Sequence, residues 1–213
     1  MKTIISTRME LLARKEQIEL AHEGFELLEQ KRVALLDELL RAAHAVMEET
    51  HTLEEAAANA HRALARAEAI AGAEAVRSTA LASRDELLLD ITSLNVMGVR
   101  VPIIEPVRVA RSMIDRGYAI VGTSTTIDEA AAAFEGEVEA IIRLAESELR
   151  LRRLAVELQR ATRRANALKY VLIPRLEQER DYIEMVLAER EHADHFRLKL
   201  TKRALERKRE TPS

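Results

Sequence analysis

The sequence predicts a mainly α protein: a long antiparallel two-helix coiled-coil hairpin carrying a small α/β insert that contains a β-hairpin. Three observations predict it. Ala, Leu, Glu and Arg dominate the 213 residues, 32% of which are charged, while aromatics make up 3% and Trp is absent. Such a composition with helical periodicity favours long helices meeting along a narrow seam. Heptad-spaced apolar residues run through both ends of the chain, and most of the glycine lies between them, at Gly72, Gly98, Gly117 and Gly122.

The first long helix is expected from about Ile5 to Ile70, giving an N-terminal segment of residues 1–70. It holds no proline, and Gly24 is its one glycine. Leu11, Ile18, Phe25, Arg32, Leu39, Val46 and Leu53 recur every seven residues, and Ala21, Leu28, Leu35, Ala42 and Ala56 keep the companion line. That is the a/d pattern of a coiled-coil seam. At 1.5 Å per residue the helix would be on the order of 100 Å long. A glycine inside it costs about 1 kcal/mol against alanine. Either Gly24 is tolerated noise, or a second helix or partner approaches bare backbone there.

Residues 71–126 form the expected insert. "DITSLNVMGVRVPIIEP" is β-rich, with Val99, Val101 and Ile103 alternating and Asn95 to Gly98 supplying turn chemistry. "VRVARSMIDRG" fits a short helix and "YAIVG" an extended piece.

The last segment, residues 127–213, is the second long helix. Thr126 and Glu129 have capping-box spacing, which sets its start near Asp128. Gly136 weakens the first turns slightly. Its seam reads Leu144, Leu151, Leu154, Leu158, Ala161, Ala165, Leu168 and Leu172, then Leu176, Ile183 and Leu187. Four residues separate Leu172 from Leu176 where three were due, and such a step locally unwinds a supercoil. The step falls at Pro174. A proline inside a helix removes a hydrogen bond, clashes with the carbonyl four back, here Tyr170, and costs roughly 3 kcal/mol. It also pushes Ile173 away from helical dihedrals.

Catalytic chemistry is not legible. The chain lacks Cys, which excludes disulfides and thiolate metal sites. No run of 18 apolar residues exists, and "MKTIISTRMELLARKEQ" is too charged for a signal peptide. The net charge of −3 gives no general attraction to nucleic acid or membrane. A soluble, intracellular chain is therefore expected. "VGTSTT" lacks the lysine and second glycine of a phosphate-binding loop and reads as a helix cap. Glu48 with His51, and Glu189 with His192, have the spacing used in di-iron bundles, but the further inward glutamates are missing and His51 falls on an outward heptad position. No cofactor and no metal are expected. "FRLKLTKRALERKR" concentrates Arg197, Lys199, Lys202, Arg203, Arg207, Lys208 and Arg209 against Glu206. It suits a solubilising helix end or a basic tip meeting the acidic walls of a partner.

Several words in the two helices are distinctive together. They are "TRMELLARKEQIELAHEGFELLEQKRVAL" from Thr7, "NVMGVRVP" from Asn95, "TRRANALKYVLIPRLEQERDYI" from Thr162 and "EREHADHFRLKLTKR" from Glu189. In order and over nearly the whole chain they resemble the central-stalk D subunit of V-type and archaeal A-type rotary ATPases. Asn166-Ala167-Leu168, Ile173-Pro174 and Phe196-Arg197-Leu198-Lys199 carry the resemblance most specifically, and Gly122 is similar to the glycine before that family's second long helix. Lys169 departs from the family's usual glutamate, Ala165 from its frequent valine, and His195 from its Phe, Thr or acid.

The resemblance implies a non-catalytic rotor shaft, carrying torque between the catalytic A/B hexamer and the membrane ion-translocating ring, in ATP hydrolysis or synthesis. It implies as partners the A and B subunits, the small F subunit of the stalk and a connector to the ring, with no direct nucleotide, membrane insertion or nucleic acid. It places the chain in the cytoplasm, held to the membrane peripherally through the complex. Expected hexamer contacts are Arg8, Lys15, Arg197, Lys199, Lys202 and Arg203; the β-hairpin contact is Val96, Met97, Gly98, Val99, Arg100 and Val101; the shaft bends at Ile173 and Pro174. A prefoldin-like coiled-coil chaperone is the alternative, although its gripping tips are apolar where these are charged. A generic coiled-coil adaptor is another.

Overall fold

The structure is a computed structural model describing residues 6–83, 87, 89–105, 109, 116–118 and 123–210, with the side chains of 208–210 left aside. Its helices are α1 (Arg8–Ala71), α2 (Ala73–Ala82), α3 (Thr125–Ala167) and α4 (Ile173–Glu210), and a π-turn, Leu168–Leu172, joins α3 to α4. Between α2 and α3, β1 (Ile91–Val96) and β2 (Val99–Ile104) form an antiparallel hairpin. The expected mainly α architecture with two long helices and a β-hairpin insert is what the chain forms. It divides into two compact units, Met1–Arg32 with Arg160–Ser213, and Val33–Gln159.

In the first unit α1 opens on Thr7, whose hydroxyl accepts the Glu10 amide at 3.2 Å and whose carbonyl accepts the Leu11 amide. This is a cap of the Thr-x-x-Glu kind that the heptad count passes over. Contacts between α1 and the C-terminal helix fall in opposite order along the two, Arg8 to Glu191 and Lys15 to Glu184, so the pair is antiparallel. Its core is Ile18, Ala21, Ile173 and Leu176, with Phe25 packed against them.

In the second unit α1 meets α3 in the same sense, through Glu38 with Arg150, His61 edge-on to Phe134 at 6.1 Å, and Arg66 with Glu129. The seam follows the heptad line to Ala60 and Ala67, both fully buried. It departs from expectation at one place: Glu38 is buried where Leu39 was expected, and Leu39 is half-buried. Arg41 and Arg150 both donate to the Glu38 carboxylate, which explains how a charge sits there. Ala67, Ile127 and Ala130 cluster with Val76 of α2. Helix α2 was not expected from the sequence; Gly72 at φ 86° breaks it from α1, and the Ala-rich run after it was the signal that could have shown it.

The hairpin turns on Met97 at φ 52° and Gly98 at φ 83°, a two-residue turn with both φ positive. Val96 pairs with Val99 and Leu94 with Val101. Val99 and Val101 are buried, and Ile104 rather than Ile103, the next of the alternating positions, completes the buried set. The Ile104 amide reaches the Glu146 carboxylate of α3 at 3.4 Å, tying the end of β2 to the helix. Most of the segment expected as a short helix, most of the extended piece, Pro106 and Gly122 lie outside the described residues.

The second long helix begins at Thr125 rather than near Asp128. Its cap is Ser124, not Thr126: the Ser124 carbonyl accepts the Ile127 amide at 2.9 Å, and its hydroxyl lies 2.9 Å from that of Thr126.

Candidate functional site: the basic tip, the π-turn and the hairpin

The tip is made by the two ends of the chain within the first unit. Arg8 donates to Glu191 at 2.6 Å, Lys15 pairs with Glu184 at 2.8 Å and Arg14 with Glu179 at 3.0 Å. Arg190 donates to the Ser6 carbonyl. Two of the six expected contact cations, Arg8 and Lys15, therefore already hold α1 against α4. Arg197 and Lys202 have looser neighbours on their own helix, Asp194 at 3.5 Å and Glu206 at 3.9 Å. Lys199 and Arg203 form no ion pair among the described residues. From Ala188 to Arg207 every residue of α4 is exposed. Phe196, Leu198, Leu200 and Leu205 stand out among them, Phe196 and Leu198 at 64% and 66% exposure. Fully burying one such side chain is worth roughly 1.5–3 kcal/mol, so this end has much to gain from a surrounding partner.

Pro174 lies beside the π-turn. The Ile173 amide donates to the Leu168 carbonyl, five residues back. A π-turn inserts one extra residue into an α-helix. The seam therefore steps from Leu168 to Ile173 and on to Leu176 and Ile183, while Leu172 is 41% exposed. This corrects the expected seam, which ran through Leu172. Ile173 also keeps right-handed helical dihedrals, φ −58° and ψ −54°, contrary to what the following proline was expected to impose. The missing N–H of Pro174 falls at the second residue of α4, where four-residue bonding is already interrupted, much as at the first turn of a helix. Tyr170 and Val171 face out at 68% and 65%. The Lys169 ammonium lies 5.6 Å from the ring centre of Phe25 and 5.4 Å from that of Tyr170, cation–π distances for both. Gly24 sits opposite: a Cβ built there would meet Leu168 Cδ1 at 3.9 Å, ordinary contact. The second helix does not require bare backbone at that position.

The insert presents Arg100 and Met97 to solvent at the hairpin, with Val99 and Val101 turned inward and Val96 and Gly98 at the turn. Elsewhere in the same unit, Arg116 is buried and forks onto Glu135 at 2.9 and 3.1 Å, with Asp128 Oδ1 at 3.5 Å. Tyr118 donates to Asp128 at 2.6 Å. The Arg116 guanidinium is held charged chiefly by its hydrogen bonds to Glu135, and burial pushes the Tyr118 phenol above its usual pKa. The sequence gives no sign of this network, because its members lie on a loop and a helix with no shared spacing. An apolar cavity of about 410 Å³ lies beside it, lined by Leu64, Val76, Ile127, Phe134 and Val138. The charged groups at its wall, Arg116 and Glu135, are bound to each other.

His51 is exposed and turned to Glu55 at 3.3 Å, and His192 is exposed. Among the described residues no three His, Cys, Asp or Glu cluster as metal ligands would, and no helix is long and apolar enough to cross a membrane.

Residues 10–203 match the family model of the ATP synthase D subunit. The chain is similar to the A-type ATP synthase D subunit of Pyrococcus horikoshii, 40% identical over 200 residues and 94% of either chain. That of Thermococcus gammatolerans is 41% identical over the same shares. That of Methanopyrus kandleri is 41% identical over 204 residues, 95% of this chain and 87% of its own. With the paired long helices, the hairpin and the basic tip, these matches show that the chain belongs to the ATP synthase D-subunit family.

Proposed function

We propose that this protein, the non-catalytic central rotor shaft coupling the catalytic and membrane parts of an A/V-type ATPase, seats the free end of α4 in the bore of the A/B hexamer. One observation carries the placement: α4 continues past its last pairing with α1 as a helix exposed on every side, basic and studded with Phe196, Leu198, Leu200 and Leu205. A lone helix of that kind needs a wall around it. Lys199 and Arg203, with Arg197 and Lys202 beside them, meet acidic side chains of that wall, while Arg8 and Lys15 stiffen the base of the tip. The hairpin residues Val96 to Val101 serve a lower-stalk or regulatory contact. The small F subunit and the connector to the membrane ring complete the rotor, and the chain is peripheral to the membrane on its cytoplasmic side. An asymmetric shaft fits each catalytic interface differently, so its angle biases the nucleotide states around it. Family membership displaces the prefoldin-like and generic adaptor readings.

The test is a tagged chain isolated gently from its own cells, as wild type and as Phe196→Asp/Leu198→Asp. The wild type should bring down two large nucleotide-binding subunits with ATPase activity. The variant, altered only at exposed positions, should fold equally well and lose them. Equal recovery with both chains would remove the tip from the bore.

A further inference from the structure

We propose that the π-turn Leu168–Leu172 is a register switch, in which Leu172 and Ile173 alternate as the residue facing α1 while the helix on either side keeps its seam. The π register runs through Ala165, Leu168, Ile173, Leu176 and Ile183. A second register is written into the same residues. In an uninterrupted α-helix Leu168, Leu172 and Leu176 follow one another at steps of four, and the eleven residues from Ala165 to Leu176 make close to three turns at about 3.6 residues each. Either register therefore keeps Ala165 and Leu176 near the seam. They differ at one position, and both candidates for it are large and apolar.

Three features of the turn lower the cost of passing between the two. Leu172 already lies beside the seam and half out of it. Pro174 has no N–H, so the carbonyl it would otherwise bond has no α-helical hydrogen bond to lose when the turn rearranges. Opposite the turn, Gly24 presents no side chain beside Leu168, and Ala21 presents only a methyl group to the cluster that holds Ile173. π-Bulges occur frequently at functional sites, and small helix shifts against a neighbour are one recognised form of switching. Because Ala165 and Leu176 stay at the seam in both registers, the change is local: Leu172 and Ile173 exchange places facing α1, and the same pair of helices has two packed states. Use of the switch during turnover rests on the rotor reading; its existence in the free chain does not.

The chain has no cysteine, so the two registers can be trapped separately. One variant carries Ala21→Cys with Ile173→Cys, the other Ala21→Cys with Leu172→Cys. Each is oxidised in the free chain, in the assembled complex at rest, and in the complex during ATP hydrolysis. The Ile173 pair should dominate in the free chain, because Ile173 and Ala21 share one buried cluster. In the complex the Leu172 pair should rise at least threefold on adding ATP. A Leu172 yield that stays at its resting level while the complex hydrolyses ATP overturns the switch, and so does failure of the Ile173 pair to form in the free chain. Failure of the chain to assemble would instead count against the rotor reading and leaves the free-chain comparison to decide whether two registers exist. There, a Leu172 yield no higher than that of an exposed control pair, Leu20→Cys with Tyr182→Cys, overturns the proposal.

Discussion

Replacing Gly24 with alanine should stabilise the free chain, and the size of the gain follows from its surroundings. In a helix interior glycine costs roughly 0.5–1 kcal/mol relative to alanine, mostly through backbone entropy of the unfolded chain. That gain is realised only where the new methyl group fits. At Gly24 its nearest neighbour outside the local helix is Leu168 Cδ1 at 3.9 Å, so no atom must move and a small dispersion gain is added. For a chain of this size the net should raise Tm by roughly 1–4 °C. Thermal unfolding followed by circular dichroism at the helical band measures it. A fall in Tm would refute the reasoning, since it would mean that α1 and the π-turn approach more closely than 3.9 Å allows. If Tm rises while ATPase activity of the assembled complex drops, a partner, not α4, approaches the bare backbone.

Three further outcomes follow from the same geometry. Pro174→Ala should stabilise the free chain by less than about 1 kcal/mol, well under the usual cost of an interior proline, because the π-turn already interrupts the bonding there; a denaturant midpoint consistent with about 3 kcal/mol would refute that placement. Arg116→Met should cost about 3–5 kcal/mol by leaving the largely buried Glu135 and Asp128 facing one another, and pairing it with Glu135→Leu should recover much of the loss. The hydrogen bonds from Arg41 and then Arg150 hold the Glu38 carboxyl below its ordinary 4.5. A depressed carboxylate stabilises the fold fully above its unfolded pKa and loses that contribution as pH falls through the folded one. Wild type should therefore lose stability more steeply than Glu38→Gln below about pH 4.5, and parallel curves would show that Glu38 titrates alike folded and unfolded.

What was legible in the sequence was periodicity. Ile18, Ala21, Leu35, Ala42, Ala60 and Ala67 are buried on the lines that a heptad count draws, and Asn95 to Gly98 announce their turn. What was not legible were departures from period. A count of apolar positions cannot distinguish a step of four ending at Leu176 from a step of five ending at Ile173, because Leu172 and Ile173 are both apolar neighbours. The backbone decides it, through one hydrogen bond from Ile173 to Leu168. Glu38 entered the seam for a similar reason: its partners, Arg41 a turn away and Arg150 on α3, are brought together only by folding. The six expected tip cations follow from the family resemblance and their charge, neither of which separates a cation paired within the chain from one left for a partner. Folding sorted them, since Arg8 and Lys15 find acids on α4 and Lys199 and Arg203 find none among the described residues.

The seam also explains why so much apolar surface lies outside it. Eight of the nineteen buried apolar residues among those described are alanines, including Ala42, Ala60 and Ala67 in the second unit. Larger side chains at neighbouring positions, Val33, Leu40 and Met47 among them, point away from it. An alanine seam brings two helices close, gains little area per residue, and leaves the large side chains free for partners. It also leaves no room. Ala60 is fully buried, and Ala60→Leu adds three heavy atoms where none fit. Overpacking of that kind costs about 1–3 kcal/mol and is relieved by parting the helices. The variant should melt lower by roughly 2–10 °C, whereas Ala58→Leu, one exposed position on the same helix, should change Tm little. Equal behaviour of the two would mean that α1 and α3 are not closely packed at Ala60, and the reason given for the outward-facing large residues would fall with it.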